Sequence, residues 1–202
     1  MVLTEPLSDW AKEKIEEVPF LYEILTDGVY LAGGLLRTII NAEPFDHEHT
    51  DVDLFFQTSP HLETVKILLE NNPHFKIVYQ CPEGKLASYV HVEKDGTETW
   101  KYQLVSVDYY EDMGALLDSF DFTCIMCGTD GKTFWYDDRF PDAIDDKLLV
   151  WNKITYPAAS LRRLMKYARK GYTMKADQYQ LFVDAIWEHD HNINNVELVY
   201  VD

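Results

Sequence analysis

Val29-Tyr30-Leu31-Ala32-Gly33-Gly34-Leu35-Leu36-Arg37 is an apolar run broken by two glycines, and Asp51-Val52-Asp53-Leu54-Phe55-Phe56 follows after a polar stretch. The first segment reads as a short buried strand over 29–32 that turns through Gly33-Gly34 into a helix over 35–41. The second reads as a strand over 51–57. Side chains alternate faces along a strand, so Asp51 and Asp53 share one face while Val52 and Leu54 point to the other, into the core. Two neighbouring carboxylates raise each other's pKa, and a divalent cation removes that conflict. Mg²⁺ is suited to one or two carboxylates completed by phosphate oxygens and water. Taken alone, Asp-x-Asp fits an acidic strand edge that blunts aggregation equally well. Gly33-Gly34 adds a place where backbone N–H groups can approach phosphate oxygens, at the start of a helix that favours an anion. An ordinary strand-to-helix turn also favours glycine. The order strand, Gly-Gly, helix with Arg37, loop, strand with Asp-x-Asp is far more specific than either part.

Outward from this block, residues 8–25 carry apolar positions at helical spacing, with Ser8 or Asp9 as cap and Pro19 as a kink or break. Residues 59–71 form an amphipathic helix opened by Ser59-Pro60. Strands are expected over 75–80, 86–93, 97–107, 122–127 and 133–136, with Lys94-Asp95-Gly96 turning a hairpin. A short helix is expected over 113–119. Two helices, 157–170 and 176–188, follow, and 196–201 reads as a last strand. The pattern predicts an α+β fold: a mixed sheet flanked by helices over residues 1–150, then a small helical segment over 151–202.

The 202 residues are 47% hydrophobic and 14% aromatic, which places the chain among globular proteins. The formal charge is −17, from 18 basic and 35 acidic residues. Affinity for a phosphate backbone comes from Lys and Arg, so a long nucleic acid is disfavoured as partner. A small nucleotide is not, because metal ions screen it locally. Cys81, Cys124 and Cys127 are an odd count, pointing to a reducing compartment. The N-terminus MVLTEPLSDW has neither a basic start nor an apolar run. No apolar stretch approaches the roughly 20 residues that span a bilayer. The expectation is a cytoplasmic protein with no membrane partner.

The two opening segments resemble the nucleotidyltransferase signature of the DNA polymerase beta superfamily, in the branch of CCA-adding enzymes and bacterial poly(A) polymerases. The resemblance implies metal-binding, catalytic roles for Asp51 and Asp53, and nucleotide-binding roles for Gly33, Gly34 and Arg37. Ser119-Phe120-Asp121-Phe122-Thr123 resembles that branch's Arg-Arg-Asp-Phe-Thr segment, and implies that Asp121 is a catalytic-site residue. Leu161 to Tyr172 resembles the neck helix. The two arginines before that branch's Asp are replaced here by Ser119 and Phe120, and nothing within the 202 residues resembles the helical body that grips tRNA in that branch.

The resemblance also implies a third acid on a strand beside the pair, where the metal-facing position holds Gln103; Asp108 and Asp121 are the nearby carboxylates. The one dense basic cluster is Arg162, Arg163, Lys166, Arg169 and Lys170, of which Arg162, Lys166 and Arg169 share a helical face. A solvated face would serve such a cluster; a face meeting phosphates would too, and Arg162 and Lys166 are the expected nucleotide contacts. His47-Glu48-His49 reads as polar loop, and Cys124-x-x-Cys127 as buried small residues. The expected activity is transfer of a nucleoside monophosphate from an NTP, ATP among them, to an acceptor hydroxyl, with Mg²⁺ or Mn²⁺ as cofactor and pyrophosphate released. The acceptor is a small molecule, a protein or an RNA end. The alternative is an inactive or weakened member of the same fold acting as an acidic binding or inhibitory partner.

Overall fold

The computed structural model describes residues 1–190. Strand β1 (Val2–Pro6) leads to helices α1 (Asp9–Glu16) and α2 (Leu21–Ile24), then to β2 (Val29–Ala32), α3 (Gly34–Ile40) and β3 (Val52–Phe56). Helix α4 (Ser59–Glu70), strands β4 (Phe75–Gln80), β5 (Leu86–Val92) and β6 (Glu98–Val105), and helix α5 (Met113–Asp118) follow. The chain then forms β7 (Cys127–Thr129), β8 (Thr133–Asp137), α6 (Phe140–Asp145), α7 (Pro157–Arg169) and α8 (Ala176–Asp190). The strands make one mixed sheet in the order β1-β8-β7-β2-β3-β6-β5-β4. Only β3 and β6 run parallel, with Asp53 opposite Gln103. The architecture is the expected α+β class.

Alternation along the central strands sorts the side chains into two layers. Val52, Leu54 and Phe56 join Leu31, Leu36, Leu62, Val65 and Leu104 in the larger core, beneath α1, α3 and α4. Tyr30, Ala32, Phe55 and Val105 face the opposite layer, where α5 contributes Leu116 and Leu117. Each fully buried aliphatic chain stabilises the sheet by about 1.5–3 kcal/mol relative to exposure. That makes a one-residue slip of β3 costly, and so fixes Asp53 on the α5 side of the sheet. The first helix begins where Ser8 accepts from the Ala11 N–H. It ends before Pro19, and Phe20, at φ +66°, turns the chain into α2.

Two elements lie outside the pattern read from the sequence, and one expected strand is corrected. β1 pairs with β8, from Val2 opposite Asp137 to Pro6 opposite Thr133. Its residues are half-buried or exposed, so its apolar signal is weak. α6 spans only six residues. Residues 122–127 do not form one strand: Thr123–Ile125 is a 3₁₀ turn and only β7 enters the sheet. The reason is a competing contact. Phe122 bridges to Trp151, and the Thr123 N–H donates to the Val150 carbonyl, so the backbone here receives the chain approaching α7. Phe122 then packs against Tyr167 and Phe182, holding α7 and α8 to the sheet. The strand expected over 196–201 lies outside the described residues.

At the far end of the sheet Asp137, 2% exposed, accepts from Arg139 Nε at 2.6 Å and Nη2 at 3.2 Å. Burial pushes its carboxyl pKa up, but the Arg139 side-chain and backbone hydrogen bonds outweigh it and hold it below the usual range.

Candidate functional site

A cleft of about 230 Å³ opens between the α5 face of the sheet and helix α7. Its sheet wall carries Ala32, Gly33, Gly34, Asp53, Phe55 and Val105. Val107, Asp108, Tyr110, Ser119, Phe120 and Asp121 also line it, as do Lys153, Tyr156, Ser160, Arg163, Lys166 and Tyr167 from the chain around α7. Residues on both sides of position 150 therefore build one cavity.

Gly33 takes φ +86° and ψ −137°, open to glycine and strained for any side chain. Its N–H donates to the Cys127 carbonyl at 3.2 Å, and its carbonyl accepts the first helical bond, from Arg37 N. Gly34 has ordinary dihedrals, and a methyl group placed on it meets nothing within 4 Å. Gly33 is thus required by the turn, while Gly34 keeps a part of the cleft open.

Asp53 faces the cleft. Asp51 stands just before β3 and does not line it. Gln103 Nε2 donates to Asp51 Oδ2 at 2.8 Å, and Lys101 Nζ stands 3.8 Å from Asp51 Oδ1. Gln103 is 1% exposed, and its Oε1 is buried with no hydrogen-bond partner among the described residues. Two carboxylates of one strand are the donor type that suits a hard divalent cation whose remaining ligands are phosphate and water. No third carboxylate completes the set: among the described residues no three His, Cys, Asp or Glu side chains gather closely enough to hold a metal.

Asp121 is brought to the cleft and is 4% exposed. Its Oδ2 accepts from Arg163 Nη1 at 2.9 Å, so it faces α7 as well as the cavity. Burial pushes the hydroxyls of Tyr110, Tyr156 and Tyr167 up, keeping all three neutral. Phe55 stands between Tyr110 and Phe120, with ring centroids 6.2 and 5.6 Å away. Phe120, Phe55 and Tyr110 thus give the cleft an aromatic wall.

Of the expected nucleotide contacts, Gly33, Gly34 and Lys166 reach the cleft, and Arg37 and Arg162 do not. Arg37 is 1% exposed and points behind the glycine turn. It donates to the Tyr172 hydroxyl at 3.0 Å, pairs with Glu43 at 3.0 Å, and lies 5.9 and 5.8 Å from the Tyr167 and Tyr172 ring centres. It ties α3 to the chain leaving α7. Arg162 is exposed because the buried residues Ala159, Ser160 and Tyr167 set the phase of α7 and turn the next residue, Arg163, inward. That phase was the available signal for Arg163. Lys153, also in the cleft, carried no sequence signal, since it lies in irregular chain. The His47-Glu48-His49 loop stays outside; Asp46 Oδ1 accepts from the Glu48 and His49 N–H groups and lies 3.0 Å from His49 Nδ1, and His47 sits 6.4 Å from Trp100. Cys124 and Cys127 are buried free thiols, and burial pushes the Cys124 thiol up to about 12.

A family model for Gabija anti-defense 2 proteins matches residues 2–147. The chain belongs to this family. The curated relative "Gabija anti-defense 2" of Bacillus phage SPbetaL7 is 24% identical over 155 residues, covering 74% of this chain and 35% of that protein. This Gabija anti-defense 2 family member thus spans about a third of the curated relative it matches. Among solved structures, a CCA-adding enzyme in complex with ATP aligns with TM-score 0.66 at 16% identity, covering 95% of this chain and 47% of that one. The Thermotoga maritima CCA-adding enzyme complexed with tRNA aligns with TM-score 0.64 at 15% identity, over 93% and 47%. The family member therefore has the nucleotidyltransferase-like fold of CCA-adding enzymes over about half their length. No helix among its described residues is long and apolar enough to cross a membrane.

Proposed function

We propose that this family member is a nucleotidyltransferase of the DNA polymerase beta superfamily, and that the cleft takes the NTP. The observation that carries this reading is the facing of Gly33, Gly34 and Asp53 by Arg163 and Lys166 across one cavity. The cleft holds three acids, Asp53, Asp108 and Asp121, and three cations, Lys153, Arg163 and Lys166, in a chain of net charge −17. This local balance admits a triphosphate that the rest of the surface repels.

Asp51 and Asp53 would hold Mg²⁺ or Mn²⁺, which when bound neutralises charge on the phosphates and activates the attacking oxygen. The chain's own part is positioning. Gly34 leaves the phosphates room to approach the backbone. Arg163 and Lys166 bind phosphate oxygens, with Arg163 aimed by Asp121. Phe120, Tyr110 and Tyr156 offer faces to the base and exclude water. The acceptor's hydroxyl attacks the α-phosphate, the bond to the β-phosphate oxygen breaks, and pyrophosphate leaves. We take a small molecule or a protein as acceptor before a long nucleic acid, and the transfer as the means of the anti-defence role for which the family is named.

A second reading is an inactive or weakened nucleotidyltransferase fold that acts as an acidic binding partner. Gln103, standing in register with Asp53 where a third acid would be expected, favours it. Calorimetry of the full chain with each NTP and Mg²⁺ separates the two. The enzyme reading expects saturable binding of at least one NTP, weakened in Arg163→Ala; absence of binding for all four would leave the second reading.

A further inference from the structure

Helices α7 and α8 are held to the sheet by the same aromatic side chain: Phe122 meets Tyr167 of α7 and Phe182 of α8. Their outward sides repeat one pattern with opposite charge. On α7, Leu161 and Met165 stand four residues apart in an apolar row, and Arg162, Lys166 and Arg169 form a basic row beside it. On α8, Tyr179, Val183 and Trp187 form the apolar row, and Gln180, Asp184 and Glu188 the row beside it. Each of these five apolar side chains is at least 39% exposed. Helix α7 has four basic residues and no acid, while α8 has four acids and neither Lys nor Arg.

Each charged row is unfavourable alone, because like charges four residues apart repel, as Arg162 and Lys166 do and as Asp184 and Glu188 do. The ion pair of Arg163 with Asp121 belongs to the cleft. Arg162, Arg169, Asp184 and Glu188 form no ion pair among the described residues, and Asp184 accepts only from Gln180 on its own helix, at 2.8 Å. Exposed apolar rows edged by uncompensated charge mark an interaction surface. A partner of one sign, whether a polyanion or a basic protein, would suit one helix and be repelled by the other. The partner that suits both carries the same two rows: apolar meets apolar, and basic meets acidic. A twofold axis makes each such contact twice. The net charge of −17 opposes self-association at long range, but salt screens it beyond about 8–10 Å while leaving contact pairs in place.

We propose that α7 and α8 form a self-complementary surface on which a second copy of the chain docks, α7 of each copy against α8 of the other. The proposal does not depend on the NTP reading of the cleft.

The test is sedimentation velocity of the full chain and of two paired variants. Wild type should sediment as a dimer at about 100 μM, which saturates an interface of micromolar affinity. Arg162→Glu with Arg169→Glu reverses the net charge of the α7 row, and Asp184→Lys with Glu188→Lys reverses that of the α8 row. Each variant alone sets like against like, and its dissociation constant should rise about a hundred-fold or more. An equimolar mixture restores opposite rows at both contacts and should sediment as a dimer again. Circular dichroism and melting equal to wild type verify that these exposed substitutions leave the fold intact. If either charge-reversed variant fails to fold, Met165→Ser with Val183→Ser decides: it should be monomeric, and a dimer like that of wild type overturns the proposal. A monomeric wild type also overturns it, as does a dimer that neither charge reversal weakens, or a mixture that stays monomeric.

Discussion

The two walls of the cleft follow different rules. The sheet wall is built from a short contiguous block in which a period of two leaves little freedom: once Val52, Leu54 and Phe56 are in the core, Asp53 must face the other way. The helical wall comes from α7, whose basic residues Arg162, Arg163, Lys166 and Arg169 crowd one side of the axis. There the choice of inward cation is made by Ala159, Ser160 and Tyr167, which carry no charge. On a strand the functional residues and the packing residues alternate, so each reports the other. On a helix of dense charge only the packing residues report the phase.

The largest expected effect joins the two walls. Arg37→Ala removes the buried guanidinium that links α3 to Tyr172 and leaves Glu43 without its partner, and should destabilise the fold by about 3 kcal/mol in chemical denaturation. A loss below half that would mean the walls are not coupled there. Next, the two glycines should separate. Gly33→Ala, forced to a positive φ, should cost about 1–3 kcal/mol of stability. Gly34→Ala should melt like wild type within about 0.5 kcal/mol yet bind NTP more weakly, since its methyl projects into open space. The phase of α7 gives a smaller, sharper contrast. Arg163→Ala should weaken NTP binding about ten-fold, as expected for a charge-assisted contact, and Arg162→Ala less than two-fold. The reverse ranking in calorimetry would put the wrong face of α7 in the cleft.

The smallest effect lies away from both walls. Asp137 has a folded pKa below its unfolded value, so its contribution is present above the ordinary carboxylate range and is lost as pH falls through the folded pKa. Wild type should therefore lose stability below the ordinary carboxylate pKa, and Asp137→Asn should flatten that part of the profile. Equal slopes in the two proteins would show that the Arg139 pairing is not what depresses it.

Most elements were legible because their own residues report burial: β2 is wholly apolar, and α4 shows Leu62, Val65 and Leu69 at helical spacing. β1 was not, because it exists through its pairing with β8 rather than through an apolar pattern. The break at Thr123–Ile125 was not, because the Phe122–Trp151 bridge joins segments far apart in sequence. The site divides the same way. The glycine turn and the carboxylate pair could be read locally. The inward turn of Arg163, the withdrawal of Arg37 behind the glycine turn, and the arrival of Lys153 depend on tertiary packing. Arg37 matches in sequence an arginine of the nucleotidyltransferase signature that this segment resembles, yet its polar contacts are to Tyr172, Glu43 and Thr38.

The central claim is that this cleft transfers a nucleotide. It is tested most directly by incubating the full chain with α-labelled NTPs, Mg²⁺ and a cell lysate, then following label into macromolecular and small-molecule fractions. Wild type should deposit label on one acceptor class, and Asp51→Ala and Asp53→Ala should each reduce it by about a hundred-fold or more, as for loss of the groups that stabilise transition-state charge. Label transfer undiminished in both variants would contradict the account.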